Sequence, residues 1–382
     1  MSKSKVAQRT PVMTVPGMSS RPTSQKTVRS SRSMKPDNIT RLCAECCSAA
    51  AIPQGEPSAF QVSEPRSVNP SAPGPIPRRP LLLKQWPFVF GTSVQSISIT
   101  AWRTLTNDHP GLVRQLGRYS KAIDLMVGKD IVTLVTQVVG DGPYNVVVNE
   151  LPSGDLPKSA RVLWSRGKLA LGPWILQFSP TSRLWDCRPA WERLHPHHEA
   201  LNRLGDLVRR AALLSGSASP LAQAGADDAQ APVEGFRRAL GSAAQMPNEP
   251  HLVSLSGATA EIAGWGPGLT PSGDDFLAGC LLALWAMQHP ARQALAETIY
   301  SAAAPRTTLL SAALLRAAAM GHAPQSWHDL LDALDTPHSP RLEPATRAVL
   351  ASGATSGFDA LVGFTTAVGW LTHGRPFCIP GG

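Results

Sequence analysis

The sequence predicts an α+β protein in which a disordered tail precedes a small antiparallel β barrel or sandwich, and a mainly helical domain follows. Three observations support this fold class. Short β-branched runs with turn residues between them occupy residues 85–188. Apolar residues at helical spacing dominate residues 189–382. Residues 1–84 carry neither pattern, so we predict three segments with these boundaries.

The N-terminal segment holds the whole excess of positive charge. Residues 1–84 contain 13 Lys or Arg and 4 acidic residues, whereas residues 85–382 contain 23 of each sign. A Ser- and Pro-rich segment without apolar periodicity cannot bury enough surface to offset its ordering entropy, so we expect disorder. A start placed too far upstream, with Met34 as a later one, and an organelle presequence are the alternatives. Because the remainder is neutral, we expect no nucleic-acid partner.

Composition also bears on compartment and cofactors. The sequence has no apolar run of about eighteen residues and no apolar N-terminal stretch of the kind that directs export. Its six cysteines form no regular framework, which is typical of a reducing compartment. Cys43, Cys46 and Cys47 lack a second cluster or a nearby histidine and so make a poor zinc site. We therefore expect a cytoplasmic protein without a membrane partner, a metal or another cofactor.

The β half is predicted from several short segments. Each is rich in β-branched or apolar residues and ends at a turn signal. The predicted strand regions are residues 94–99, 130–139, 145–149, 161–164 and 169–178. Arg166 and Gly167 predict a tight hairpin between the last two. No strand–helix–strand alternation occurs, which argues against a doubly wound sheet.

The helical half is predicted from apolar residues that recur at helical spacing. Residues 191–214 are amphipathic, and residues 215–232 are small and polar, which indicates an exposed loop. Further helices are expected at residues 274–289, 291–304, 307–320, 325–335, 342–352 and 357–372.

Residues 264–275 read G-W-G-P-G-L-T-P-S-G-D-D and lead directly into an apolar helix. Glycines such as Gly266 and Gly268 let a backbone approach a ligand closely. The helix can begin with Thr270 as N-cap and Pro271 after it, or with Ser272 in a capping box. Unpaired N–H groups and the helix dipole favour an anion there. The spacing matches neither a Walker A loop nor a dinucleotide fingerprint, and a tight turn before a core helix is the structural alternative.

The pattern S-G-x-D-x-L-x-G occurs twice, starting at Ser272 and at Ser356. Its shared acid, Asp275 or Asp359, is explained equally well as a capping-box acid that satisfies helix N–H groups. Asp274 has no acidic counterpart in the second copy and is the better candidate for catalysis, either orienting an amide or assisting proton transfer.

A third segment begins at Arg306. Thr307 and Ser311 are four residues apart, so on a helix their hydroxyls share one face, with a guanidinium at its start. Hydroxyls and a guanidinium suit recognition of phosphate or carboxylate. Thr307 or Thr308 as an N-cap, with Arg306 as a solvated charge, is the structural alternative.

Together these segments resemble a known family. GWGPGLTPSGDDFLAG at 264–279, TTLLSAALLRAAAMG at 307–321 and GATSGFDALVG at 353–363 are similar to the AllH family, a subunit of bacterial oxamate carbamoyltransferase. The resemblance extends over about residues 85–373. Ala354 stands where the family usually has His, so we expect no role for that imidazole in this chain.

The resemblance implies a role in allantoin degradation, in which oxalurate and phosphate become oxamate and carbamoyl phosphate. It also implies two partner subunits and these four small anions as ligands. Such a site must hold anions and stabilise a developing oxyanion. With the motifs above, it makes Asp274 the catalytic candidate. The candidate substrate-binding residues are Gly266, Gly268, Thr270, Ser272, Gly273, Asp275, Arg306, Thr307, Ser311, Ser356 and Asp359.

Two other hypotheses stay open. The chain could be a non-catalytic scaffold or ligand-sensing subunit of the same complex. It could also be a Mg²⁺-dependent enzyme acting on phosphate, with Asp274 and Asp275 near the metal. Adjacent side chains on a helix diverge by about 100°, which argues against one ion bound by both.

Overall fold

The computed structural model describes residues 90–106, 111–165, 167–214 and 227–373. The predicted tail, residues 1–84, lies outside them. The described chain is α+β, with a curled sheet first and helices after it, as the sequence predicts. In these ranges no helix has the length and apolar character that crossing a membrane requires. The boundary predicted at residues 188 and 189 stays a prediction.

The sheet is mixed. Its strands in the described residues are β1 (Phe90–Ser98), β2 (Val113–Arg118), β3 (Ala122–Val127), β4 (Asp130–Thr136), β5 (Asn145–Val148), β6 (Val162–Ser165), β7 (Lys168–Leu171) and β8 (Trp174–Trp185). They follow the order β2-β3-β4-β5-β1-β8-β7-β6 across the sheet. The pairs β1–β8 and β4–β5 are parallel, and the other neighbours are antiparallel. The all-antiparallel prediction is therefore wrong in this detail. β8 joins β1 from far along the chain, and residues 137–144 cross over to bring β5 back parallel to β4.

The sheet curls strongly enough to bring its two edges together. The amide of Val113 donates to the carbonyl of Ala160 at 2.9 Å, and Leu112 forms an isolated bridge with Arg161. These contacts join the starts of β2 and β6, the two edge strands. The predicted hairpin around Gly167 is present between β6 and β7. Curling buries one face around an apolar core and leaves less edge open to other chains.

A helix that the sequence pattern did not predict follows β1 directly. Ile99 was expected to continue the strand, but it begins α1 (Ile99–Thr106). The hydroxyl of Ser98 accepts a hydrogen bond from the amide of Ala101 at 3.0 Å, which is the bond an N-cap makes. The helix buries Ala101 and Leu105 against the sheet, so one local cap decides where the strand ends.

The described helical half contains α2 (His198–Leu214), α3 (Asp227–Gln245), α4 (Glu249–Ile262), α5 (Ser272–Ala286), α6 (Arg292–Ala303), α7 (Leu309–Ala319), α8 (Gln325–Leu334), α9 (Leu342–Leu350) and α10 (Ser356–His373). The ends of α5 to α10 agree with the predicted helices within three residues. Residues 227–232 were predicted as loop but belong to α3, and α4 was not predicted. Residues 227–232 contain no large apolar side chain, and residues 254–260 of α4 are small apart from Leu255, so neither segment gives much periodic signal.

Helix α5 is the centre of this half. Apolar residues surround it on nearly every side, and it packs against α4, α6, α7 and α10. The two halves are joined by backbone hydrogen bonds, in which Ala323 donates to Cys187 at 2.8 Å and Gln325 donates to Asp141 at 3.0 Å. The start of α5, where the glycine-rich loop ends, is the position that the sequence marked as functional.

Candidate functional site

The glycine-rich loop runs from the end of α4 to the start of α5 and folds back on itself. Trp265 donates through its amide to the carbonyl of Ile262 at 3.0 Å and accepts from the amide of Gly273 at 2.9 Å. Gly266 and Gly268 have φ of 105° and 102°, a region that other residues rarely adopt. A Cβ on Gly266 would lie 3.0 Å from the amide nitrogen of Ser272. Glycine therefore lets the loop close over the first helical amide.

The start of α5 differs from both predicted caps. Its N-cap is Pro271, and no side chain caps the helix. The predictions that Thr270 or Ser272 is the N-cap are therefore wrong, and so is the capping-box role for Asp275. A proline at the N-cap can still accept the first helical hydrogen bonds, since Asp274 and Asp275 donate to its carbonyl at 2.9 and 3.1 Å. Thr270 is left free to bond across to α10.

Asp274 links three elements. Its Oδ1 accepts from the amide of Gly264 at 2.8 Å, and its Oδ2 accepts from the hydroxyl of Ser311 at 2.7 Å and from that of Thr307. The residue is only 1% exposed. The two hydroxyls that the sequence placed four residues apart do meet, and they meet on this carboxylate. Asp274 thereby holds the loop to the start of α7 through charge-assisted hydrogen bonds.

The segment before α7 has a mixed outcome. Thr308 is the N-cap of α7, accepting from the amide of Ser311 at 3.0 Å and donating to the carbonyl of Leu269. The structural alternative for Thr308 is thus confirmed. Thr307 precedes the helix in extended backbone. Arg306 ends a short 3-10 turn and is exposed, with no ion pair to any described residue.

Asp275 faces the start of α10. The hydroxyls of Thr270 and Ser356 bond each other at 2.9 Å beside it. Burial, with the charges of Asp359 and Asp274, raises the pKa of Asp275 to about 7, and the two hydroxyls oppose this rise. Its Oδ2 is fully buried and accepts no hydrogen bond from the described chain. This carboxyl is therefore partly protonated at neutral pH.

Several loop amides point to no acceptor within the described residues. The amides of Gly273 and Asp274 are used internally, by the carbonyls of Trp265 and Pro271. Those that remain without an acceptor in the described ranges are Gly266, Gly268, Leu269, Thr270 and Ser272. A run of N–H groups without acceptors in a glycine-rich loop is a set of donors suited to an anion.

The structure brings most of the predicted site residues together, with α5, α7 and α10 meeting at the loop. One contribution that the sequence gave no means to find is the amide of Gly264, because a contact over ten residues has no local signature. Among the described residues, no three His, Cys, Asp or Glu side chains come together as a metal would require.

The fold and this loop define the class: an α+β chain whose helical half carries a glycine-rich loop at the junction of three helices. The family model described as oxamate carbamoyltransferase subunit AllH matches residues 262–368, from the last residue of α4 into α10. The resemblance drawn from the sequence is confirmed over this span, which contains every predicted site residue. Its extension to residues 85–261 stays a prediction. No solved structure matches the chain.

Proposed function

We propose that the chain is a subunit of an oxamate carbamoyltransferase, and that residues 264–275 bind the anionic reactants of the phosphorolysis of oxalurate. The unused amides between Gly266 and Ser272 carry this proposal. The family match over residues 262–368 supports it by naming an enzyme that transfers a carbamoyl group. Oxalurate and phosphate would be converted to oxamate and carbamoyl phosphate in allantoin degradation, in complex with two partner subunits.

The chemistry suits the donors of the loop. Phosphate attacks the carbamoyl carbon, and negative charge develops on the carbamoyl oxygen as the bond forms. The carbamoyl C–N bond then breaks, and oxamate leaves as its nitrogen takes the proton that the phosphate gives up. Fixed N–H groups stabilise that charge without reorganising during the reaction. Arg306, exposed and without an ion pair in the described chain, supplies the guanidinium that a carboxylate or phosphate group favours. We assign Asp274 the role of keeping the loop in shape, and its role as the catalytic residue stays a prediction.

The decisive experiment compares two glycines under activity assay with the partner subunits. Gly268→Ala strains a loop with φ of 102°, and Gly128→Ala strains a hairpin turn with φ of 62°; an added Cβ meets no atom within 4 Å at either position. Both substitutions carry a backbone cost of about 1 kcal/mol or more. We expect Gly268→Ala to lower kcat/KM by at least about tenfold and Gly128→Ala to leave it unchanged. Full activity in Gly268→Ala refutes the loop assignment.

The anion site is tested separately by binding. A thermal-shift panel of the full chain with phosphate, carbamoyl phosphate, oxamate and oxalurate should show stabilisation of about 2.7 kcal/mol at a hundred times Kd. Arg306→Gln should weaken affinity by about tenfold, since hydrogen bonds to charged groups are worth about 1.5–3 kcal/mol. Arg341→Gln is the matched control, because Arg341 is also exposed and forms no ion pair with a described residue.

A scaffold role is the second candidate, and one observation favours it. The carboxylate of Asp274 already accepts hydrogen bonds from three donors of its own chain. If the motif serves assembly only, Asp274→Asn should reduce the amount of assembled complex and leave turnover per complex intact. If the loop is part of the active site, turnover per assembled complex should fall as well.

A further inference from the structure

Two carboxyl groups face each other where α5 crosses α10. The helices make the most extensive helix pair contact of the described chain, and they cross at glycines. A Cβ on Gly279 would lie 2.7 Å from the carbonyl carbon of Ala360, and one on Gly363 would lie 2.8 Å from that of Phe276. Asp275 and Asp359 immediately precede the residues touched. The crossing therefore brings the two acids into one buried space.

Hydroxyl and carboxyl groups line that space. Thr270 and Ser356 join the two loops through their hydroxyls at 2.9 Å, and both hydroxyls bear on Asp275. Asp359 is fully buried. Oδ2 of Asp275 is also buried and receives no hydrogen bond from a described donor. An ionised Asp275 would have the two hydroxyls beside it but no described donor at Oδ2, so its charge would be only partly solvated.

Of the charged groups around α5, those that act on Asp275 are both acids. α10 contributes Asp359, and α5 itself contributes Asp274. On α3, Arg237 pairs with Glu234 and acts on Cys280, farther along α5. On the α7 side Arg306 is exposed, and the hydroxyls of that segment bond Asp274. On α4 Glu261 is exposed. Two charged residues of α6 approach α5, and both lie near Trp285 at the C-terminal end of α5. Arg292 stacks on the Trp285 ring, and Glu297 lines a cavity together with Trp285.

We propose that Asp275 holds a proton against Asp359 at neutral pH and that this proton strengthens the binding of an anion by the neighbouring loop. The inference rests on the proposed anion loop and adds that the protonation of Asp275 controls the affinity of that loop. Loss of the proton places a further negative charge on Asp275, beside Thr270, whose amide is one of the N–H groups that would receive the ligand. At an effective dielectric of about 20, a like charge about 12 Å from the anion lowers affinity by about tenfold.

The coupling has a defined sign. Burial and Asp359 raise the pKa of Asp275 to about 7, so its proton is lost as pH rises through neutrality. Affinity for an anion must then fall over the same range. By linkage, a bound anion must raise that pKa in return. With a tenfold coupling, about half a proton is taken up per anion near pH 7.5.

Oxamate is the suitable probe, because its charge is fixed over this range whereas phosphate titrates near neutrality. The full chain is titrated calorimetrically from pH 6 to pH 9, in two buffers with different ionisation enthalpies. We expect wild-type affinity to fall about tenfold and the buffer dependence to reveal proton uptake. Asp275→Asn should bind with the same affinity at every pH. Glu261→Gln, which changes an exposed charge near the loop, should keep the wild-type profile.

The outcomes separate the two proposals. Oxamate binding that is independent of pH in the wild type, or that keeps its pH dependence in Asp275→Asn, overturns the coupling to the Asp275 proton and leaves the anion loop standing. Absence of oxamate binding at every pH overturns the anion loop itself. If Asp275→Asn does not fold, the wild-type measurement decides, because binding near pH 7.5 without proton uptake contradicts the proposal.

Discussion

The crossing of α5 and α10 makes one substitution especially informative. Gly279→Ala adds a single methyl group inside α5, where alanine is intrinsically favoured over glycine. The added Cβ would lie under 3.0 Å from the carbonyl oxygen of Ala360, 2.7 Å from its carbon and 2.8 Å from the amide nitrogen of Phe364. All three obstacles are backbone atoms of a buried helix, so no side chain can swing aside. The two helices must therefore move apart to make room for the added methyl group.

The magnitude follows from two opposing effects. Replacing glycine by alanine in a helix interior contributes about 1 kcal/mol of stability. Forcing an extra methyl group into a packed core costs about 1–3 kcal/mol and more where backbone must move. Because the obstacle is backbone, we expect Gly279→Ala to lower the free energy of unfolding by about 2 kcal/mol net. Gly257→Ala is the matched control: Gly257 is an exposed residue inside α4 with nothing near its Cβ, and it should gain about 0.5–1 kcal/mol.

Urea unfolding followed by circular dichroism and tryptophan fluorescence measures both variants. Equal m values would show that only stability has changed. The expected signs are opposite, with a difference of about 3 kcal/mol between the two variants. If Gly279→Ala gains stability as Gly257→Ala does, the close crossing is refuted. The facing of Asp275 and Asp359, which depends on that crossing, would be lost with it.

Three further predictions concern the same region. Thr308→Val removes the α7 cap and the bond to the loop, so it should cost about 1–2 kcal/mol in urea unfolding, whereas Thr298→Val should be near neutral. The carboxyl of Asp275 has a pKa of about 7 in the folded chain against an ordinary value of 3.8. Its contribution to the free energy of unfolding is therefore present below pH 4 and lost as pH rises through 7. The stability of Asp275→Asn relative to wild type should rise by up to about 4 kcal/mol from pH 4 to pH 8. Cys280 is buried and burial raises the pKa of its thiol, so mass spectrometry should find it unlabelled by thiol reagents until the chain unfolds. Labelling of native Cys280, or a stability gap for Asp275→Asn that is constant with pH, would contradict the packing around α5.

The fold was predictable where the signal is local. Helices α5 to α10 carry long apolar patterns with turn residues between them, and their ends were predicted within three residues. The parallel pairs of the sheet were not, because β1 meets β8 through residues more than eighty positions away. Helix α1 was missed since its start depends on one hydroxyl, that of Ser98. Pairing partners and caps are decided by tertiary contacts that periodicity does not contain.

The candidate site, too, was predictable only where the relation between residues is local. The prediction that the hydroxyls of Thr307 and Ser311 lie together is met on Asp274, but the shared helix face behind it is wrong, because Thr307 precedes α7 in extended backbone. Their shared acceptor, Asp274, lies more than thirty residues earlier in the chain and was considered only as a group facing a ligand. Its real neighbours include the amide of Gly264. A sequence identifies the polar groups of a site, whereas only packing reveals which of them are already satisfied.

The repeated S-G-x-D-x-L-x-G pattern acquires a different explanation from the crossing. Two local caps were the simplest interpretation of a twice-used motif, yet α5 has no side-chain cap. Instead Gly279 meets Ala360, and Gly363 meets Phe276, so each copy supplies the glycine that admits the backbone of the other. Such a shared interface predicts non-additive energies. Once Gly279→Ala has forced the helices apart, Gly363→Ala should cost about 1–2 kcal/mol less than it does alone. Additive losses in the double variant would mean that the two copies are independent elements, and the repeat would need another cause.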